Sequence, residues 1–270
     1  MSPRKTKMLM VCTLAILGPR VMLAQQGDQS RMSISLFGGI VQTSSNLWSI
    51  GPQRVGLIDF SGTEIGVDSF SVSRNARSGL AVGINGTYYP SSRWGYSFEL
   101  SLFDPGLSTD CDIDFDSVDS NSSNPNRAFC TDIDQRKVSM GTVNITGAGL
   151  FRPFPTALAS PYLKAVVGLS DIGSGSTEVV GRYNGVDRVL VLNQGAGFQP
   201  TVGFALGIVL PTAAGYAIRL EIRDQLYRVR ILDGPADALA VAPSSLRWTH
   251  NFALLLGVDV VLQKKRGRRY

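Results

Sequence analysis

Histidine is nearly missing from this chain: His250 is the single copy among 270 residues. A metal centre built on several imidazoles is therefore excluded. Long apolar runs are missing too. Beyond the N-terminus nothing approaches 18 continuous apolar residues, so no membrane-spanning helix is expected. Amphipathic helical periodicity is scarce. Cysteine occurs only as Cys12, Cys111 and Cys130. An excess of charge of one sign is also lacking once the N-terminus is set aside. The segment "MSPRKTKMLMVCTLAILGPRVMLAQQ" has a basic start, an apolar stretch from Met8 to Leu17 and a small residue at Ala24. That is the layout of a secretory signal peptide over residues 1–24. Removing it changes a formal charge of +5 into 22 basic against 21 acidic residues. A near-neutral chain has no electrostatic footprint for nucleic acid.

Cys12 leaves with the signal segment, and Val11 stands where a lipoprotein signal would want a small residue. Two cysteines then remain in a secreted chain, which predicts a Cys111–Cys130 disulfide.

What the sequence has in abundance is alternation. In "NFALLLGVDVVL", Phe252, Leu254, Leu256, Val258, Val260 and Leu262 share one parity, whereas the other holds Asn251, Ala253, Gly257 and Asp259. Side chains on a strand alternate faces, so this stretch has one strictly apolar face and one permissive face. The same pattern marks strands at 80–88, 94–103, 202–210 and 216–223. Weaker patterns at 33–41, 137–151 and 161–169 bring the expectation to eight. The 137–151 stretch changes phase midway, which predicts a bulge near Gly141. Connections of roughly 43–77, 104–135, 173–195 and 229–246 alternate with tight, proline-marked turns. A closed antiparallel meander has this layout.

The permissive face carries Glu99, Lys164, Arg219, Glu221, Arg223 and Asp259 among Gly, Ser and Ala. An eight-stranded interior is just wide enough to be filled by side chains, and charges there must pair. The strict face then meets lipid. Aromatics at strand ends support this: Tyr88, Tyr89, Trp94, Tyr96, Phe151, Phe154, Tyr162 and Tyr216 near the tight turns, with Phe37, Phe103, Phe198, Tyr227 and Trp248 near the long loops. Transmembrane barrels carry such girdles at both interfaces. Asp259 is expected low in the barrel, paired first with Arg219.

At this point the chain resembles the small outer-membrane β-barrels of the OmpA/OmpX type over residues 31–262. The resemblance implies an all-β, eight-stranded antiparallel up-and-down transmembrane β-barrel in a bacterial outer membrane, with four long extracellular loops and three short periplasmic turns. The expected organisation is signal peptide 1–24, barrel 25–262 and a basic periplasmic tail 263–270. Expected partners are outer-membrane lipid and lipopolysaccharide, periplasmic chaperones and the barrel-assembly machinery; no nucleic acid and no cofactor are expected. The tail "QKKRGRRY" departs from barrels of this type, which end on an aromatic in the last strand.

Chemistry is sparse. Outer-membrane lipid A deacylases carry a lipid-facing His with a Ser two residues later; here Phe252 takes that place, so His250 reads as an interfacial polar residue beside Trp248. Asp110, Asp112, Asp114, Asp116 and Asp119 concentrate carboxylates suited to calcium, but Ile113 and Phe115 interrupt the polar spacing of a calcium loop. The same alternation suits an extended strand above the membrane. "GSGST" at 173–177 lacks the lysine of a phosphate loop. The function expected is therefore non-enzymatic: adhesion, binding or envelope integrity through the loops, with a narrow pore for ions or small solutes as the alternative and a lipid-modifying enzyme disfavoured.

Overall fold

Strict period-two patterning can be satisfied around a closed sheet only if every strand turns the same parity outward, and the barrel is built this way. The computed structural model describes residues 32–44, 46–58, 64–115, 125–183, 186–192, 197–212, 215–237 and 239–262. In chain order the strands are β1 (Met32–Thr43), β2 (Asn46–Ile58), β3 (Glu64–Ala76), β4 (Gly79–Tyr88), β5 (Trp94–Asp104) and β6 (Gly106–Phe115). Helix α1 (Pro125–Gln135) follows, then β7 (Val138–Ser139), β8 (Thr142–Phe151), β9 (Ser160–Ile172), β10 (Val179–Tyr183) and β11 (Val186–Val191). The chain finishes with β12 (Phe198–Pro211), β13 (Tyr216–Leu232) and β14 (Ser244–Leu262).

Eight of these close into an antiparallel barrel in the order β1-β14-β13-β12-β9-β8-β5-β4, with β4 returning to β1. They are the eight strands predicted from the sequence. Burial alternates residue by residue along β5 and along the lower part of β14. Apolar side chains at 252, 254, 256, 258, 260 and 262 are exposed, whereas Asn251, Ala253, Leu255 and Asp259 are buried. Ten residue steps at about 3.4 Å, on a strand tilted by about 40°, give an apolar belt about 25 Å tall, the height of a membrane-barrel belt.

Leu256 lies in the middle of that belt, between Gly38 of β1 and Leu220 of β13. Leu256→Arg should therefore cost about 2–4 kcal/mol of folding stability in lipid vesicles, and Leu262→Arg at the edge of the belt about 0–1 kcal/mol. Equal losses at the two depths, read from urea unfolding, would refute the assignment of this face to lipid.

Two expectations about the chain between barrel strands are corrected. The phase change in 137–151 is not a bulge. Val138 and Ser139 pair with Leu107 and Gly106 of β6 in a separate sheet, and Thr142 opens β8 of the barrel. The break at Met140 and Gly141 is where the chain passes from one sheet to the other, and Met140 is buried at the junction. The long connections, moreover, are not plain loops. Above the barrel β2, β3, β6 and β7 form a four-stranded sheet, and β10 and β11 form a hairpin. With α1, and with β13 and β14 rising as a paired ribbon to Leu232↔Ser244, they build a folded cap. Its core includes Trp48, Ile50, Phe70, Val72, Phe129, Ile133, Met140, Val191 and Val229. This is the most extensive apolar core among the described residues, larger than either cluster inside the barrel.

Candidate functional site

The charged part of the lumen is built from the inward parity of four strands. Arg219, Glu221 and Arg223 are alternate residues of β13, Glu99 projects from β5, Lys164 from β9 and Asp259 from β14, and all are buried. Lowest in the barrel, Arg219 Nη2 donates to Asp259 Oδ2 at 2.7 Å and its Nε to the same oxygen at 3.2 Å. The Arg219 guanidinium also lies 5.5 Å from the centre of the Tyr162 ring. Tyr162 Oη donates to Glu221 Oε2 at 2.5 Å. Gly207, register partner of Tyr162, has no side chain to collide with that ring. Above this level Glu99 accepts from Lys164 Nζ at 2.8 Å, from Arg223 Nη2 at 2.8 Å and from Arg223 Nη1. Arg223 Nη2 also donates to Glu221 Oε1 at 2.6 Å. Three carboxylates (Glu99, Glu221, Asp259) therefore face three cations (Lys164, Arg219, Arg223), and the network is neutral.

Little space remains. The void among Phe37, Glu99, Lys164, Glu221, Arg223 and Leu255 is about 10 Å³, room for at most one water. Farther up, Val41, Ala81, Phe103, Ala253 and Leu255 form an apolar layer on one side of the lumen, and Asn144, Ser170, Thr201 and Gln225 a hydrogen-bonded one on the other. At the turn end a vestibule of about 470 Å³, lined by Ser33, Tyr89, Arg152, Ser160 and Asp259, runs inward and stops at the Arg219–Asp259 pair. Among the described residues Asp259 Oδ1 and the Ser160 hydroxyl have no hydrogen-bond partner.

The outward face carries fewer aromatics than the sequence suggests. Tyr88, Trp94, Tyr96, Phe154 and Tyr216 are exposed at the turn end, whereas at the cap end only Phe198 and Trp248 of the five named residues are. Phe103, Tyr227, Tyr89 and Tyr162 are buried, because their parity is the inward one. Phe37 also points inward: its ring occupies the space beside Gly83, and the Arg223 guanidinium lies 5.7 Å from the ring centre. Position along a strand is thus not enough to make a girdle; parity must agree as well.

His250 lies on the outer face at the cap end of the belt. Its Nδ1 is 2.9 Å from Asp224 Oδ2, and its ring stacks on Phe252 with centroids 5.7 Å apart. Among the described residues its hydrogen-bond partner is the Asp224 carboxylate.

In the cap, β6 presents Asp110, Asp112 and Asp114 on its exposed parity and Leu107, Thr109, Cys111 and Ile113 toward the interior. Alternate residues on a strand stand about 7 Å apart, so those three carboxylates do not converge. Among the described residues no group of three His, Cys, Asp or Glu could hold a metal ion. Asp116 and Asp119 lie outside the described residues. Helix α1 begins on Pro125, whose missing N–H costs nothing in the first turn. It buries Asn126, Phe129, Cys130 and Ile133 on one face. Phe129 stacks on Phe70 at 6.0 Å and fits against Gly181, and the Cys111–Cys130 disulfide, Cα–Cα 5.5 Å, fastens the helix to β6. Closing this loop should stabilise the cap by about 3 kcal/mol in the chain-entropy account. Reduction should make the cap unfold earlier in urea and leave the heat-modifiable gel migration of the barrel unchanged; loss of that migration on reduction would show that barrel and cap fold as one unit.

A closed antiparallel barrel, apolar outside over a membrane's height and filled inside with paired charges, defines a transmembrane β-barrel. No protein-family model matches the chain, and no curated protein matches it. Among solved structures it is similar to Neisserial surface protein A (11% identity, TM-score 0.44, 86% of this chain and 98% of that one). It is also similar to the outer membrane protein OprG from Pseudomonas aeruginosa (11% identity, TM-score 0.43, 85% and 95%). A third similar structure is the outer membrane protein AlkL in lipid bilayers (11% identity, TM-score 0.46, 93% and 99%). The barrel class itself rests on the strand order and the apolar belt.

Proposed function

We propose that this protein is a non-conducting, non-enzymatic surface protein of a bacterial outer membrane, whose barrel anchors a folded extracellular cap and whose cap does the binding. The observation that carries the reading is the lumen. Six charged side chains neutralise one another across it and leave about 10 Å³, so ions have no path that does not break a buried pair. A hydrated ion passing Glu99 would have to separate Lys164 and Arg223 from it, and buried charges left without partners cost several kcal/mol each. The cap supports the other half of the reading. A core of its own and a disulfide hold a fixed surface above the membrane, the arrangement that recognition requires. In this reading the belt contacts outer-membrane lipid and lipopolysaccharide, and periplasmic chaperones and the assembly machinery deliver the chain. Phe252, in the place where a lipid A deacylase carries the serine that follows its histidine, speaks against a lipid-modifying enzyme. Planar-bilayer recording of the refolded protein is the test. Silence is expected, and steady single-channel conductance would overturn the sealed lumen in favour of a narrow pore.

A further inference from the structure

Just above the apolar belt the outer face of the β13–β14 ribbon changes character. On β13 the outward parity runs from Ile222 in the belt through Asp224 and Leu226 to Arg228 and Arg230, and on β14 from Phe252 through His250 to Trp248. Arg228 is opposite Trp248, and its guanidinium lies 5.9 Å from the centre of that ring. Both arginines are half-buried and Trp248 is exposed. The carboxylate on this face, Asp224, is held by His250 at 2.9 Å. Among the described residues neither Arg228 nor Arg230 has a carboxylate within ion-pair distance. Arg230 Nη1 donates to the Ser244 hydroxyl at 3.2 Å, a neutral partner. The six lumenal charges cancel, but this face is left with two positive ones. Elsewhere around the barrel the outward positions just above the belt include Asp104 at the end of β5 and Asp171 near the end of β9, and their charge disfavours an anion there.

Four residues at about 3.4 Å, on a strand tilted by about 40°, put Trp248 and Arg228 about 10 Å above Phe252. The headgroup layer on each side of a bilayer is about 5–8 Å thick, and an arginine can lower its charged end along its flexible stem. The two guanidiniums therefore meet headgroup phosphates. Beneath them Leu226, Val202, Ile222 and Phe252 continue downward as an apolar track. We infer that this face is a binding site for lipopolysaccharide, with a lipid A phosphate on Arg228 and Arg230 and an acyl chain on the track below. A phosphate monoester carries a charge of about −1.5 to −2 at pH 7, more than the single charge of a phospholipid diester, and two arginines match it. Guanidiniums take phosphate oxygens through paired N–H donors. Alternate residues of a strand stand about 7 Å apart, close enough for both side chains to turn toward one phosphate. The inference rests on the reading of the cap as extracellular, since lipopolysaccharide occupies the outer leaflet. Its readout is lipid binding and not conductance, so it and the sealed lumen can fail separately.

The test is native mass spectrometry of the refolded protein, released from nonionic micelles that hold equal amounts of three lipids. These are bisphosphorylated lipid A, the same lipid A without its phosphates, and phosphatidylglycerol. Retention of a single bisphosphorylated lipid A is expected, at least about tenfold above either competitor, the effect of a charge-assisted hydrogen bond or two. A smaller margin over the phosphate-free form would overturn the phosphate contact. A smaller margin over phosphatidylglycerol would reduce the site to general attraction for anionic lipid. Replacing both Arg228→Gln and Arg230→Gln should bring retention down to the phosphate-free level. Arg228→Gln alone breaks no hydrogen bond among the described residues, and should lower retention about threefold or more without disturbing the fold. Arg93→Gln, at an exposed arginine in the turn at the opposite end, should change nothing. Unchanged retention in Arg228→Gln, or an equal loss in Arg93→Gln, would refute the assignment to this face.

Discussion

Glu99→Gln should destabilise the protein by about 3–5 kcal/mol, because it leaves two buried cations short of charge at once. Glu99 is where Lys164 and Arg223 converge, at 2.8 Å for Lys164 Nζ and 2.8 Å for Arg223 Nη2. Glutamine keeps the volume and one carbonyl acceptor, and so removes charge with little change in packing. The remaining carboxylate, Glu221, is 2.6 Å from Arg223 Nη2 but 3.7 Å from Lys164 Nζ. Lys164 is therefore the residue left most exposed to the loss. Combining Glu99→Gln with Lys164→Met should recover part of the stability, since an apolar side chain of similar length replaces a cation that has lost its partner. Urea unfolding in lipid vesicles measures both. A loss below about 1 kcal/mol for Glu99→Gln, the size expected of a solvent-exposed ion pair, would mean that water reaches the network and that the lumen is not sealed.

The barrel could be read in the sequence because period two is a geometric consequence of the strand and does not depend on neighbours. Five stretches show one apolar parity clearly and three more weakly, with Gly38, Gly147 and Gly149 among the outward positions. The facing of Glu99, Lys164, Arg219, Glu221, Arg223 and Asp259 follows from the same parity. Harder to see was the cap. Its strands alternate too: Phe70, Val72 and Ala76 are buried between Ser69, Ser71, Ser73 and Asn75 in β3. Yet a sheet with one face on a small core and the other in water needs only a few apolar residues on each strand, and such short patterns look like loop. Helix α1 had a signal as well, Pro125 at its start and Phe129, Cys130 and Ile133 at helical spacing, in a stretch of mostly polar residues. The aromatics mislead in the opposite way. Tyr162 is near the end of its strand, as a girdle residue should be, and Phe37 and Tyr227 lie farther along theirs, but each occupies the inward parity. Arg74 carries no sequence signal of its kind at all. Its burial is a property of the folded cap, and nothing local to "SVSRNA" distinguishes it from an exposed arginine.

The second large effect belongs to the base of the plug. Asp259→Asn should cost about 3–5 kcal/mol, because Arg219 has no other carboxylate within ion-pair distance among the described residues and is 4% exposed. Register explains why these two meet. Arg219 is opposite Gly257 and Ala217 opposite Asp259, so the pair is diagonal across β13 and β14. The small residues at 217 and 257 leave both side chains free to turn toward each other. Arg219→Met should cost a similar amount, since it would leave the Asp259 carboxylate buried with only the vestibule to hydrate it. The double variant Asp259→Asn with Arg219→Met removes both charges, and should therefore lose less than either single change. A double-mutant cycle in vesicles should return a coupling energy of about 2 kcal/mol or more, within the range of directly contacting residues. Zero coupling would dissolve the pair as an energetic unit. The same cycle bears on sealing. The vestibule ends on this pair, so the Asp259→Asn variant should admit water one layer deeper, up to Tyr162 and Glu221, while Glu99, Lys164 and Arg223 still close the barrel above. Bilayers containing that variant should accordingly remain silent. Conductance appearing with the loss of Asp259 alone would place the whole barrier at the Arg219–Asp259 pair and make the upper network a bystander.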